Sequence, residues 1–264
     1  MAKKFICSQC GQTFEAASMP DKCPICGADS SKIQEVKKKG IDTNGNVYTF
    51  VYASVMVIIV AFLLAFVSSV LKPVQDANVE NDTKGQILTA LGYDKAKVNV
   101  GEVYQANVKD KIYKDGSLVD YTGKFNTAYG QLIKDGELHV FVAKTVNGED
   151  AYVIPVTGRG LWGGLWGYIA VNAEKNQVLG TYFYHESETA GLGARIGEKE
   201  FQEQFAGRPI FGESGDVQLT VVKKGAGDDS FQVDGITGAT LTSKGVGAMV
   251  TDGLNQYKEF LNNK

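Results

Sequence analysis

The chain has 264 residues, 27 basic and 30 acidic side chains, 44% hydrophobic residues and a formal charge of −3. These values exclude a collagen-like chain, a disordered one and a strongly basic nucleic-acid-coating protein, each of which needs a compositional extreme. Glycine alone stands out: its 31 copies, crowded after residue 158, are roughly 12% of the chain against a typical ~7%, as expected where backbone is held close to something.

All four cysteines fall within the first 26 residues, as Cys7-Ser8-Gln9-Cys10-Gly11 and Cys23-Pro24-Ile25-Cys26-Gly27, two CxxC turns separated by twelve residues. Each turn sets two thiolates on one tight knuckle, and two knuckles make a tetrahedral four-sulfur metal site. A segment of about 40 residues buries too little apolar surface to fold unaided, so the metal supplies the missing stability. Iron and zinc both suit these ligands.

Phe50 to Leu71 follows, 22 residues without a charge, bounded by Asp42 upstream and Lys72-Pro73 downstream. As a helix it is ~33 Å long, slightly more than a ~30 Å hydrocarbon core, and reads as one transmembrane span. A cleaved signal peptide is disfavoured by its length and by the folded-looking segment ahead of it. Lys32, Lys37, Lys38 and Lys39 precede the span, against Lys72 and Lys84 among acidic residues after it, which places the N-terminus in the cytoplasm. The cysteines then lie on the reducing side. The expected organisation is a metal module over 1–40 in the cytoplasm, a linker and span over 41–72, and an external domain over 73–264.

That domain alternates strand-like runs with turns. Glu137 to Ala143 follows a Lys134-Asp135-Gly136 turn, Ala151 to Val156 follows Asn147-Gly148, and Trp166 to Val171 and Val178 to Tyr184 flank Glu174 to Gln177. Helical patterns occupy Lys84 to Leu91, Glu198 to Phe205 and Thr242 to the end, where Val246, Met249, Val250, Leu254, Tyr257 and Leu261 recur at steps of three and four. His139 sits inside a strand pattern and reads as structural. Neither histidine has a second ligand nearby, so no metal is expected here. GxSxG, HExxH and P-loop patterns are absent, and Gly191-Leu192-Gly193 lacks the third glycine of a dinucleotide fingerprint.

The most specific stretch is Asp234-Gly235-Ile236-Thr237-Gly238-Ala239-Thr240-Leu241-Thr242-Ser243, small and hydroxylated residues opening the C-terminal helix. It supplies helix caps, and free amides at a positive helix end attract phosphate. Asp234 to Thr240 resembles the flavinylation motif of the FMN-binding domain family shared by the C subunits of sodium-pumping NADH:quinone reductases and the G subunits of Rnf complexes. The resemblance implies FMN esterified through its phosphate to Thr240 by a separate flavin transferase that uses FAD and Mg²⁺, with Thr237, Gly238, Ala239 and Thr242 around it.

Two further segments carry the resemblance. Gly158 to Trp162 with Trp166-Gly167-Tyr168 resembles the family's glycine-aromatic stretch. His185-Glu186-Ser187-Glu188-Thr189-Ala190-Gly191-Leu192-Gly193 resembles its His-x-Glu-Thr-Pro-Gly-Leu-Gly loop, with one extra residue and Ala190 in place of proline. Trp162, His185, Glu188, Thr189, Gly191, Leu192 and Gly193 are therefore candidate flavin contacts, although core packing is the favoured role of Trp162 and Tyr168. The N-terminal segment, with Phe14 and Lys22 to Ala28, resembles the rubredoxin-like domain of rubrerythrins, implying one redox-active iron on Cys7, Cys10, Cys23 and Cys26, with structural zinc the alternative.

The expected fold is thus an α+β FMN-binding domain on a single transmembrane helix, preceded by a rubredoxin-like or zinc-ribbon module. The expected function is an electron-relaying member of a multisubunit sodium-pumping NADH:quinone reductase in a bacterial inner membrane, with NADH oxidised elsewhere in the complex and no nucleic-acid partner. A G subunit of an Rnf complex and a membrane-anchored FMN sensor are the alternatives.

Overall fold

The computed structural model describes residues 3–36, 43, 45–123, 125, 137–225 and 230–263, and the chain divides into two units, Met1–Leu71 and Lys72–Lys264. The Lys134-Asp135-Gly136 turn and Lys37, Lys38 and Lys39 lie outside the described residues.

In the first unit, strands β1 (Lys3–Cys7), β2 (Thr13–Ala16) and β3 (Ile33–Glu35) form an antiparallel sheet in the order β2-β1-β3. Its core is small: Phe5, Cys7, Cys23 and Ile33, with Phe14 stacked on Phe5. Two of its four buried residues are thiols, so the fold depends on what those sulfurs hold.

Helix α1 runs from Asn46 to Ala90, 45 residues. The sequence predicts a span that stops at Lys72-Pro73 and a separate helix from Lys84, whereas one helix continues through Pro73. Proline removes one amide from the ladder, and beyond it Ile87, Leu88 and Ala90 are anchored in the second unit's core, which keeps the segment helical. None of the most apolar stretch of α1 is buried, and among the described residues it is the one helix long and apolar enough to cross a membrane.

The second unit is built on a six-stranded antiparallel sheet of β4 (Val108–Lys114), β5 (Ser117–Asp120), β6 (Leu138–Lys144), β7 (Asp150–Arg159), β8 (Gly164–Asn172) and β9 (Val178–His185), ordered β5-β4-β6-β7-β8-β9. Helix α2 (Val100–Asn107) precedes it, capped by Asn99 on the Glu102 amide. After β9 come α3 (Lys199–Gln202), a short parallel pair β10 (Thr220–Val222) and β11 (Gln232–Asp234), α4 (Thr240–Gln256) and α5 (Lys258–Asn262).

Both faces of the sheet are covered. Ile154, Val156, Leu165, Ile169 and Phe183 pack against Val246, Met249, Val250 and Leu254 of α4. Val153, Ala151, Tyr168 and Ala170 face Ile87, Leu88 and Ala90 of α1. Double coverage explains why β7 reads as a nearly continuous apolar run rather than an alternation. Pro155 is tolerated because the ladder to β6 ends at the Phe141–Val153 pair, leaving β7 a single neighbour there.

Candidate functional site

In the N-terminal unit the four cysteine sulfurs lie within 4.8 Å of one another. Cys7 and Cys26 Sγ are 3.7 Å apart, and Cys10 and Cys23 Sγ 3.9 Å. A tetrahedron with metal–sulfur bonds of ~2.3 Å has edges of about 3.8 Å, so the donor set fits one ion. Gly11 and Gly27 close the two knuckles at φ of 69° and 73°, each donating its amide to the first cysteine's carbonyl at 2.9 Å. The Cys10 and Gln9 amides draw the Cys7 thiol down to about 7. At Cys26 the Ala28 amide acts downward, but the crowded thiols outweigh it and push that group up to about 12. A cation replacing those protons relieves the crowding.

The second candidate site lies where α4 begins. Its N-cap is Ala239, which has no side chain to satisfy the first-turn amides. Of the three hydroxyls in that turn, two are buried and engaged. Thr242 donates to Glu188 Oε2 at 2.6 Å, and Ser243 accepts from the Ile236 amide at 2.9 Å. Thr240, the first helical residue, is exposed. Gly238, at φ 81°, turns the loop into the helix, and a Cβ there would meet Leu192 Cδ2 at 3.1 Å. The Asp234-to-Thr240 loop and the Gly191-to-Gly193 loop are therefore neighbours.

Glu188 organises this corner. Its Oε1 accepts from the Trp162 amide at 2.8 Å while Oε2 holds Thr242. Burial pushes the carboxyl up, but the Thr242 hydroxyl, the Trp162 and Gly163 amides and His185 outweigh that and hold it below its ordinary value. His185 Nδ1 accepts from the Glu188 amide at 3.2 Å, and its ring stacks on Tyr184. A Cβ on Gly193 would lie 2.6 Å from Glu188 Oε2 and 2.7 Å from Thr242 Oγ1, and one on Gly160 2.4 Å from Glu188 Oε1. Part of the glycine surplus thus serves approach to a buried carboxylate.

The candidate residues accordingly separate into two groups. Thr237, Gly238, Thr240, Thr189, Gly191 and Leu192 are exposed around the helix start. Glu188, Thr242, Gly193 and Ala239 are buried, and the polar atoms of Glu188 and Thr242 are directed at protein rather than solvent. Tyr168 is core, as expected, but Trp162 is 66% exposed, because it sits at the tip of the β7–β8 turn instead of in a strand. Arg159, Gly160 and Ser187 lie inside the segments that carry the resemblance without being among the candidate flavin contacts, and Lys244 lies outside every motif singled out for the flavin. Ser187 Oγ donates to the Trp162 carbonyl at 3.1 Å, and Lys244 stands one turn after Thr240, a spacing that is the one sequence signal for it. His139 is buried, with Nδ1 2.9 Å from Asp110. Clefts of about 510 and 790 Å³ open on the α1 side of the sheet, and neither is lined by residues 237–243.

Comparison with known proteins bears on both sites. Residues 160–255 match the FMN-binding domain model, and residues 5–34 match the rubrerythrin, rubredoxin-like domain model. The chain is 32% identical over 210 residues to the C subunit of the Na(+)-translocating NADH-quinone reductase of Haemophilus ducreyi, covering 72% of this chain and 82% of that one. It is 41% identical over 198 residues to the corresponding C subunit of Chlamydia pneumoniae, covering 69% and 60%. Among solved structures, the C subunit from Parabacteroides distasonis superposes with a TM-score of 0.65 at 36% identity, over 74% of this chain and 98% of that one. NqrC of Shewanella oneidensis superposes with a TM-score of 0.61 at 21% identity, over 71% and 100%, and shares the fold.

Proposed function

We propose, from the premise that this chain belongs to the C-subunit family of the Na(+)-translocating NADH-quinone reductases, that it carries FMN covalently on Thr240 and relays electrons within that oxidoreductase complex. The observation carrying this reading is the selection of one hydroxyl. Of the three hydroxyls in the first turn of a helix that lies within the match to an FMN-binding domain, Thr242 and Ser243 are buried and engaged while Thr240 is exposed.

The residues fit a phosphoryl group there. Uncapped first-turn amides and the positive helix end offset the charge that a phosphodiester on Thr240 retains. Attachment forms a bond from Thr240 Oγ to phosphorus and breaks the diphosphate of FAD, releasing AMP; the hydroxyl proton passes to the transferase. Bound FMN supplies reversible one- and two-electron chemistry. The chain supplies position: Thr237 and Gly238 form the approach loop, Leu192 and Leu241 offer exposed apolar contact, and Glu188 keeps the two loops in register.

For the N-terminal module the reading is iron on Cys7, Cys10, Cys23 and Cys26, supported by the match to the rubredoxin-like domain of rubrerythrin and taking part in electron transfer on the cytoplasmic face. Visible absorbance of the isolated chain, with metal analysis, checks it; a colourless zinc protein overturns it. The lysine bias before the span supports a cytoplasmic N-terminus and an external flavin domain, with the other members of the complex and a flavin transferase as partners.

The test of the main reading is intact mass and in-gel ultraviolet fluorescence of the denatured chain from its native membrane, beside Thr240→Ala. One FMN mass and fluorescence in the wild type, both lost in the variant, are expected. An unmodified wild-type chain overturns covalent attachment and leaves Thr240 an exposed helix start.

A further inference from the structure

We propose that the cleft of about 790 Å³ beside β9 is a docking site for a short, extended stretch of a neighbouring polypeptide of the complex, uncharged where it enters the cleft and flanked by one basic residue. The proposal rests on membership of the chain in a multisubunit reductase and is independent of the flavin.

The cleft lies wholly within the second unit, lined by the turn after α1, the β6–β7 turn, the middle of β9 and the segment around α3. β9 is the last strand of the sheet, so one of its edges has no strand beside it. The Glu186 amide bonds to the Gly164 carbonyl at 3.0 Å, which sets the alternation of the ladder. Tyr184, Tyr182 and Gly180 then bond to β8, while Thr181 and Phe183 turn their main-chain groups outward. Two outward positions are closed: the Val178 carbonyl accepts from the Gly207 amide at 2.8 Å, and the Phe183 carbonyl from Gln202 Nε2 at 3.0 Å. Between them, the N–H and C=O of Thr181, a residue only 6% exposed, have no partner among the described residues. Unpaired groups on a sheet edge are a template for another extended chain, and one open residue limits that chain to a short stretch.

Gln202 stands beside this gap. The Thr181 hydroxyl donates to its carbonyl at 3.2 Å. Its Nε2 donates to the Phe183 and Ile196 carbonyls at 3.0 and 3.2 Å, which fixes which end of the amide is nitrogen. The Oε1 of this side chain, 8% exposed and on the cleft wall, has no partner among the described residues, and so calls for an N–H. The Tyr182 hydroxyl, on the same wall, is likewise unpartnered among the described residues. Burial, with smaller contributions from Asp82 and Tyr184, pushes it up to about 12, so it remains a donor and calls for a carbonyl. A peptide group offers both. Val146 and Leu179 add apolar surface for one side chain.

The charges set the rest of the occupant. Lys95 is paired with Asp82 at 3.1 Å, Asp94 with Lys97 at 3.0 Å and Lys199 with Glu203 at 3.2 Å. These pairs leave no net charge for an ion to meet. Glu149, exposed in the β6–β7 turn, is the one charged residue of the wall without an opposite charge at ion-pair distance among the described residues. It selects a lysine or arginine beside the uncharged stretch.

Val146, 54% exposed on the wall, is the position from which to test this. In the full-length chain Val146→Cys is treated with N-ethylmaleimide and labelling is read on the peptide that carries residue 146. The expected result is labelling in the isolated chain, loss of labelling in the purified complex, and recovery when the complex is dissociated. Val146→p-benzoylphenylalanine, irradiated in the complex, should join to a peptide of another subunit that carries a basic residue near the junction. Glu149→Lys should lose both the protection and the cross-link while intact mass still shows the FMN on Thr240. Equal labelling of the isolated and assembled chains overturns the proposal. Protection with a cross-link only to a second copy of this chain or to lipid overturns it in favour of that occupant. Unchanged protection in Glu149→Lys overturns the basic flank. A flavin-bearing chain that purifies without other subunits overturns membership and docking together and leaves the flavin reading standing.

Discussion

The Thr242 hydroxyl donates to the Glu188 carboxylate at 2.6 Å, across 54 residues of sequence. Through that bond, and the one from the Trp162 amide to the same carboxylate, the start of α4, the turn after β7 and the loop after β9 are held as one corner. Removing the carboxylate releases all three. Glu188→Ala is expected to cost about 1.5–3 kcal/mol, the range for hydrogen bonds to charged groups, read as a lowered unfolding midpoint. Slower flavin attachment at Thr240 in the same variant would show that the corner positions the acceptor.

The same carboxylate predicts a response to acid. Burial raises its pKa, but Thr242, the Trp162 and Gly163 amides and His185 together leave it below the ordinary value of 4.5. A carboxyl depressed on folding contributes stability that is present above its unfolded value and is lost as pH falls through the folded value. Wild type should therefore lose stability below about pH 4.5 more steeply than Glu188→Gln, which has no charge to lose there. Denaturant melts of the two chains at stepped acidic pH check this; parallel curves would assign the acid response to other groups.

Gly193 tests the packing of the corner from its other side. An alanine Cβ would fall 2.6 Å from Glu188 Oε2 and 2.7 Å from Thr242 Oγ1, closer than real contacts allow. Gly193→Ala should cost about 1–3 kcal/mol by overpacking. Gly191→Ala gives the contrasting case. That position has nothing within 4 Å of a Cβ but holds φ at 74°, so its cost is backbone strain, and it should leave the Glu188–Thr242 bond intact. Thermal melts of both, with the flavinylation yield of each, separate packing from strain.

Removal of one metal ligand should unfold the N-terminal module alone. Its buried core is Phe5, Cys7, Cys23 and Ile33, too little apolar surface to stand without the ion. Cys23→Ser is expected to abolish metal retention and expose residues 3–36 to protease, while the sheet domain keeps its own unfolding transition. Loss of both transitions together would show that the module supports the rest of the chain.

Some of this architecture is readable from residue order and some is not, for physical reasons. The long apolar helix is legible because no charge interrupts Phe50 to Leu71, and the cluster of four cysteines because the CxxC spacing is local. The β6–β7 and β8–β9 hairpins are legible because the short turns at Asn147-Gly148 and Glu174 to Gln177 separate strand-like runs. The continuation of α1 through Pro73 is hidden. Residues 74–86 are mostly polar, and the helix there persists through the docking of Ile87 and Leu88 on a sheet formed later in the chain. β10 and β11 have three residues each, too few for periodicity, and pair in parallel across a long connection. The organising role of Glu188 is equally hidden, since its partners lie 26 and 54 residues away.

Two threonines in one helical turn allow acceptor and support to be told apart with the same substitution. Thr240 is exposed, so Thr240→Val should change stability within about 0.5 kcal/mol, as surface substitutions do, while removing the hydroxyl proposed to receive the flavin. Thr242 is 2% exposed and its hydroxyl serves Glu188. Thr242→Val keeps the shape but strips a buried carboxylate of a donor, at a cost of about 1–3 kcal/mol, and leaves the Thr240 hydroxyl in place. Unfolding midpoints and intact mass should therefore cross over: Thr240→Val stable and unmodified, Thr242→Val destabilised and still modified, at reduced yield. If Thr242→Val were the unmodified, stable chain, the acceptor would be Thr242, and the corner would have to open for attachment.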